Sequence, residues 1–317
     1  MAKRPQENIL KNIETLDVIA APLLRWFHSE KRALPWREEP TPYRVWVSEI
    51  MLQQTRVEAV KPYFERFVAA LPDVRALARA DEDTLMKLWE GLGYYSRARH
   101  LQSAARLICS DHGGKIPARF DDLLTLPGIG RYTAGAVASI AFGERRPAVD
   151  GNVLRVIMRL LACPADILKE STKRAVEEAL ITRLPEDAGN FNQALMELGA
   201  LICLPRGAAR CPSCPLERLC LAKEANLQAE LPQKTPSKRR RTEKLTIFLL
   251  SKNGKIALEK RPAQGLLAGL WGFPAMEGHL KKKEAAEALQ AIGLIPAKLH
   301  ALPAAQHIFS HITWQMV

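Results

Sequence analysis

With 317 residues, 47% of them hydrophobic, the chain is long enough for about two folded domains and too apolar to be disordered. Lysine and arginine outnumber aspartate and glutamate by 46 to 34, giving a net charge of +12 and a pI near 9.5. That surplus points to a polyanionic partner, usually nucleic acid, although a merely basic soluble protein shares it.

No apolar run approaches the length of a membrane span, and the polar start MAKRPQENILKN has no signal-peptide core. The expected location is therefore the cytosol, where disulfides are rare and six cysteines need another use.

Apolar residues recur at helical spacing from Ile9 to Trp26. The next segment, KRALPWR at 31–37, suits phosphate contact and base stacking, or equally a tryptophan that anchors a loop to the core. Thr41 and Pro42 open a helix to about Gln54, threonine as cap and proline in the first turn. Glu49 lies on it among Val45, Trp46 and Leu52. A carboxylate inside an apolar stripe has a raised pKa and makes a neutral general acid near pH 7. Charged residues are mostly exposed, so the helix's wet edge is the commoner place for a lone glutamate. Gln53, Gln54 and Thr55 form an uncharged polar cluster suited to base edges.

Pro62 is expected to interrupt the following helix. A helix over 83–92 closes at Gly93, and YYSRAR at 94–99 again sets aromatics beside arginines. This reads as a stacking platform with phosphate grips, or as two core-packing tyrosines.

The stretch from Leu126 to Asn152, LPGIGRYTAGAVASIAFGERRPAVDGN, organises the rest. Gly128 and Gly130 in a turn between two helices allow unusual backbone and close ligand approach, and free N–H groups at a helix start bind phosphate without reading sequence. The small residues that follow allow close helix packing. Asp150 and Asn152 precede a clear helix; both are favoured caps, but one cap suffices, which leaves the other for different work. The helix NFNQALMELGALI follows, with Gln193 on it.

Cys203, Cys211, Cys214 and Cys220 fall within 18 residues, with seven, two and five residues between them. Four cysteines this close point to a metal: zinc more often uses two Cys-x-x-Cys knuckles, whereas all-cysteine ligation also fits an iron–sulfur cluster. Arg206 and Arg210 in the intervening loop suit phosphate contact, and Cys109 and Cys163 are expected in the core. The stretch 229–244 reads as a basic linker, and from Leu245 the pattern turns to strands with a helix from Lys283 to Ile292, an α+β unit. Trp314–Val317 reads as mid-strand, so more chain is expected after it.

The motifs LPWR (34–37), TPYRVWVSEIMLQQT (41–55), GLGYYSRARHL (91–101), LPGIGRYTAGA (126–136) and VDGNVLRV (149–156), in this order and with the four cysteines, resemble the MutY-type adenine DNA glycosylases of the helix-hairpin-helix superfamily. The resemblance covers nearly the whole chain. It implies a multi-domain chain: an all-α helix-hairpin-helix glycosylase domain with an iron–sulfur cluster loop over 1–228, then a Nudix-like α+β domain over 245–317 that is incomplete at its C-terminus. It implies excision of adenine mispaired with 8-oxoguanine or guanine in duplex DNA, by a cytoplasmic, nucleoid-associated monomer.

By the same resemblance Glu49 is the general acid and Asp150 stabilises the sugar cation, with Asn152 and Tyr132 assisting. Arg32, Trp36 and Gln193 lie at the adenine pocket, and Gln54 and Tyr94 enter the duplex. Gly128 and Gly130 hold a DNA phosphate, and Phe309, Ser310 and His311 read the oxidised guanine. Cys203, Cys211, Cys214 and Cys220 hold a 4Fe–4S cluster. Two departures stand out: the first cysteine spacing is seven rather than six, and Gln290 and Ala291 replace the paired glutamates of a Nudix box, so no nucleotide pyrophosphatase activity is expected.

Two rivals remain at this point. An endonuclease III-type pyrimidine glycosylase with lyase activity needs a lysine nucleophile where this chain has Tyr132. A non-catalytic iron–sulfur DNA-binding protein would need neither Glu49 nor Asp150.

Overall fold

The computed structural model describes residues 11–205, 209–236, 239–262 and 264–317. The chain divides into two compact units, Met1–Thr235 and Pro236–Val317.

The first unit is all helix among its described residues. Local chemistry sets the helix starts. The Thr41 hydroxyl accepts the Arg44 N–H and Pro42 occupies the first turn of Pro42–Leu52. Asp73 and Asp81 cap their helices in the same way. Gly143, left-handed at φ 71°, ends the Arg131–Phe142 helix. Pro62, expected to break a helix, lies inside an unbroken one, Val57–Ala70. It is exposed, as is Glu58, whose carbonyl loses its intrahelical donor at a place open to solvent. The first helical stretch also differs from expectation: a 3-10 turn, Ile13–Val18, precedes Ala20–Glu30.

Two hydrophobic cores form in this unit. One gathers Trp46, Phe64, Phe67, Trp89 and Leu101 from the middle of the chain. The other joins Leu23 and Phe27 near the start to Val153, Ile157, Phe191 and Leu195, far along the sequence. The Arg131–Phe142 helix packs against both Pro42–Leu52 and Ala188–Leu201. Small residues keep these approaches close: a Cβ on Gly189 of Ala188–Leu201 would sit 2.6 Å from the Ser139 carbonyl oxygen, and one on Gly135 would sit 2.1 Å from the Pro147 carbonyl oxygen of the following loop. Cys163 is buried in the second core, and Cys109 packs against the first.

The second unit is α+β. A four-stranded sheet has the order β6 (Ala275–Glu277), β1 (Arg241–Ile247), β8 (Ile312–Met316), β7 (Ala305–Ile308), with β1 and β8 parallel and the outer pairs antiparallel. Short β2 (Ser251–Lys252) pairs with β3 (Lys255–Ile256), and β4 (Glu259–Lys260) with β5 (Trp271–Gly272). The helix Lys282–Ala291 places Ala285 and Leu289 against Phe248 in a small core. Strand structure begins at Arg241, inside the stretch expected to be linker. There the basic residues are exposed while the backbone pairs with β8, so a polar sequence carries a strand.

Candidate active site

An open cavity of about 1180 Å³ lies at the seam of the two cores of the first unit. Trp36 and Val45 of the one and Phe27 and Val149 of the other line it. Glu49, Tyr132, Asp150, Asn152, Arg32, Gln54 and Gln193 line it too, so with Trp36 the structure gathers eight of the expected site residues from five separate parts of the sequence.

Glu49 is 6% exposed, buried rather than on the wet edge of its helix. Burial raises its pKa to about 7; Asp150 adds to the rise, while the Tyr132 hydroxyl, which donates to Glu49 Oε2, and Arg37 pull against it. Burial also pushes the Tyr132 phenol well above its usual range, so it stays protonated and donates. Met196 Sδ lies 3.7 Å from the same hydroxyl.

Asp150 caps the Gly151–Leu160 helix, its Oδ1 accepting the Asn152 and Val153 N–H groups at 2.9 and 2.8 Å. The Asn152 side-chain amide donates to Oδ2 at 2.7 Å. Capping and site are therefore one arrangement, and the expected division of labour between Asp150 and Asn152 does not hold: Asp150 caps and faces the cavity together. Burial raises the Asp150 pKa, and these donors oppose the rise. Arg155 Nη2 in turn donates to Asn152 Oδ1 at 2.8 Å and to the Gly199 carbonyl, and Nε to the Cys203 carbonyl at 2.7 Å.

The same cavity is lined by a residue that sequence reasoning missed. Glu197 is 1% exposed and accepts from Arg32 Nε and Nη2 at 2.7 and 2.8 Å and from Arg37 Nη2 at 3.1 Å. Burial pushes its pKa up, but the two arginines outweigh burial and hold it at about 2. Arg37 Nε also donates to Gln193 Oε1 at 2.9 Å. Arg32 and Arg37 thus build the cavity wall rather than project as phosphate grips, whereas Lys31 is exposed, and Trp36 is buried edge-on against Phe64 at 5.4 Å. Glu197 had the same signal as Glu49, a lone acid in an apolar helical run.

Gln54 and Tyr94 are exposed and both left-handed, at φ 61° and 47°. Arg97, expected as a phosphate grip, is buried instead. In the hairpin, Gly128 meets the backbone expectation, with φ at 76°, and a Cβ there would lie 2.6 Å from His100 Cβ, so the space beside it belongs to the fold. Gly130 does not need special backbone. It caps Arg131–Phe142 in an extended conformation, and a Cβ there would meet nothing within 4 Å.

Cys203, Cys211, Cys214 and Cys220 carry free, half-buried thiols. Burial pushes the Cys214 thiol up to about 12, with Cys203, Cys220 and Cys211 adding to the rise, so the four sulfurs share one neighbourhood. Arg159 Nη1 donates to Cys203 Sγ at 3.3 Å, and the Cys220 thiol donates to the Arg159 carbonyl at 3.5 Å. Among the described residues no group of three or more His, Cys, Asp or Glu side chains is set to hold a single metal ion. Arg206 lies outside the described residues, and Arg210 is exposed.

Residues 47–182 match the HhH-GPD superfamily of base excision DNA repair proteins, and residues 246–317 match the NUDIX domain. The human adenine DNA glycosylase is 35% identical over an alignment covering 98% of this chain and 70% of its own length. That of Buchnera aphidicola (subsp. Schizaphis graminum) is 33% identical, covering 96% and 87%. The chain belongs to the adenine DNA glycosylase family. A solved thermostable thymine-DNA glycosylase superposes with a TM-score of 0.59 at 29% identity, covering 67% of this chain and 98% of that one. An endonuclease III bound to DNA shares the fold at a TM-score of 0.58 and 24% identity.

Against that family fold, the last expected residues, Phe309, Ser310 and His311, form the turn between β7 and β8, where the Phe309 N–H donates to the Ile312 carbonyl at 2.8 Å. The Phe309 ring packs edge-on against Trp314 at 4.9 Å and His307 at 4.4 Å, which fixes the turn to the sheet. Ser310 and His311 are exposed at its tip.

Proposed function

We propose that the chain is a monofunctional glycosylase that flips adenine out of an 8-oxoguanine or guanine mispair in duplex DNA and hydrolyses its glycosidic bond. One observation carries this reading: two buried carboxylates of unlike surroundings face one cavity. Glu49, with no backbone donor and a pKa near 7, keeps a proton. Asp150, bonded by three donors, suits the anion. An extruded adenine in this cavity receives the Glu49 proton on a ring nitrogen, N7 by family resemblance. The C1′–N9 bond then breaks with its electron pair going to the base. The Asp150 carboxylate stabilises the sugar cation until water adds at C1′ and loses a proton, leaving an abasic site.

Arg32, Trp36, Gln193 and Glu197 hold the base, and Gln54 and Tyr94 take its place in the stack. Gly128 and Gly130 present the hairpin N–H groups to a phosphate; the open space at Gly130 suits close approach of DNA. Cys203, Cys211, Cys214 and Cys220 hold a 4Fe–4S cluster, for which four gathered thiols beside Arg159 are a fitting donor set. When bound it anchors the 203–220 loop and takes no part in the glycosidic step. In the second unit, Phe309, Ser310 and His311 read the oxidised base.

The test is a single-turnover assay on duplexes with adenine opposite 8-oxoguanine, guanine or thymine. Cleavage in the order given is expected, and Glu49→Gln should slow it by about 10³-fold or more. Near-parental cleavage by Glu49→Gln would sink the acid assignment. Stoichiometric borohydride trapping of a DNA adduct would instead favour a lyase.

A further inference from the structure

Arg97 is 8% exposed, and the hydrogen bonds of its guanidinium run to six neutral oxygens on two turns. Nη1 donates to the carbonyls of Ile50 (2.7 Å), Met51 (3.0 Å) and Gln53 (2.5 Å), at the C-terminal end of the helix that carries Glu49. Nη2 donates to the carbonyls of Leu92 (3.2 Å) and Gly93 (3.1 Å) and reaches Thr55 Oγ1 at 3.4 Å. The guanidinium also lies 5.4 Å from the Trp89 ring centroid and 5.6 Å from that of Tyr94.

A cation buried in this way is matched by carbonyl dipoles, including those at a helix C-terminus, where positive charge is favoured. The same turns carry Gln54 and Tyr94 at positive φ, a conformation that side-chain-bearing residues hold only where the surroundings over-determine it. Arg97 supplies that determination: it fixes the carbonyl one residue before Gln54 and the carbonyl one residue before Tyr94. A third tie, Gln53 Nε2 to Thr133 Oγ1 at 3.3 Å, joins the first turn to the residue after Tyr132.

We propose that Arg97 is a positioning residue for base extrusion: one guanidinium fastens the Leu52–Thr55 and Gly91–Tyr94 turns into a single edge and holds Gln54 and Tyr94 in the conformation that enters the duplex. The proposal rests on the reading of Gln54 and Tyr94 as duplex-entering residues. Lysine cannot replace the fork, because an ammonium is a point donor that reaches one turn or the other.

The experiment compares Arg97→Met and Arg97→Lys in the full chain. Three quantities are read: the single-turnover rate on adenine opposite 8-oxoguanine, the pH midpoint of that rate, and the fluorescence of 2-aminopurine beside the adenine, which rises as the stack opens. Fluorescence is measured with Glu49→Gln added to block cleavage. Both variants should lose most of the fluorescence rise and about tenfold or more in rate, in line with the cost of small misplacements, with an unmoved pH midpoint.

Should Arg97→Met fail to fold, a folded Arg97→Lys decides. Parental rate and fluorescence in that variant, or a shifted pH midpoint, overturn the clamp. Gln54→Ala and Tyr94→Ala, made alone, separate the two layers. If neither dims the fluorescence, the duplex-entering reading fails. If they dim it and the Arg97 variants do not, only the clamp fails.

Discussion

Two buried glutamates line the walls of one cavity, and their carboxyls differ by about five pKa units: Glu49 at about 7, Glu197 at about 2. Depth does not separate them, since both are nearly inaccessible. Partners do. Glu197 receives two guanidinium groups, Glu49 a single neutral phenol with Asp150 nearby. Burial sets the penalty for charge, and the protein then either matches the charge or leaves the proton in place. The wall with the matched charge is a fixed surface, while the wall with the retained proton can perform acid chemistry.

The largest expected effect comes from breaking the matched wall. Glu197→Leu leaves Arg32 and Arg37 facing the cavity without their shared anion, and loss of one partner of a buried ion pair costs about 3–5 kcal/mol. Urea unfolding at pH 7 should show a loss of that order; less than about 1 kcal/mol would mean that the arginines find other partners or water.

The pH dependence of stability should separate the two walls by sign. The folded pKa of Glu49 is raised above its usual 4.5, so the native state resists ionisation, and stability declines as pH rises from 4.5 to 7. The gap of about 2.5 units corresponds to roughly 3 kcal/mol. Glu49→Gln should therefore be more stable than the parent by up to about 3 kcal/mol at pH 8 and equal to it at pH 4. Glu197 behaves oppositely: its folded pKa is depressed, so its contribution is complete above 4.5 and fades as pH falls toward 2. Thermal melts across pH 4–8 would refute the comparison if Glu49→Gln gained nothing at high pH.

The chain's motifs made one wall legible and hid the other. Glu49 was readable because its apolar neighbours lie within a turn of it, although helical spacing could not say how deep that face is buried. Glu197 has equally apolar neighbours, but its meaning depends on Arg32 and Arg37, 165 and 160 residues away, and no local pattern reports such a pairing. The same distance hides the roles of three arginines: Arg32, Arg37 and Arg97 stand beside aromatics in the sequence, a pattern that suits phosphate contact, and in the fold tie backbone and carboxylate instead. Gly128 and Gly130 looked alike in sequence, yet only the first is required by φ and space. Strand β1 begins four residues before the apolar pattern at Leu245, since Arg241 to Lys244 are charged or polar and only their backbone pairing with β8 makes them strand.

The smallest effect probes the boundary between the walls. The Tyr132 hydroxyl lowers the Glu49 pKa by bonding its carboxylate, against the larger upward push of burial. Tyr132→Phe removes that donor and leaves the burial, so the Glu49 pKa should climb above about 7, by about one unit if the bond contributes about 1.5 kcal/mol to the ionised form. Under the proposed acid role, activity falls as pH rises through this pKa, and the alkaline limb of the single-turnover profile should move up by that amount. A limb that stays in place would mean that the proton titrating in the profile is not the one on Glu49; a limb that moves down would mean that Tyr132 stabilises the acid rather than its anion.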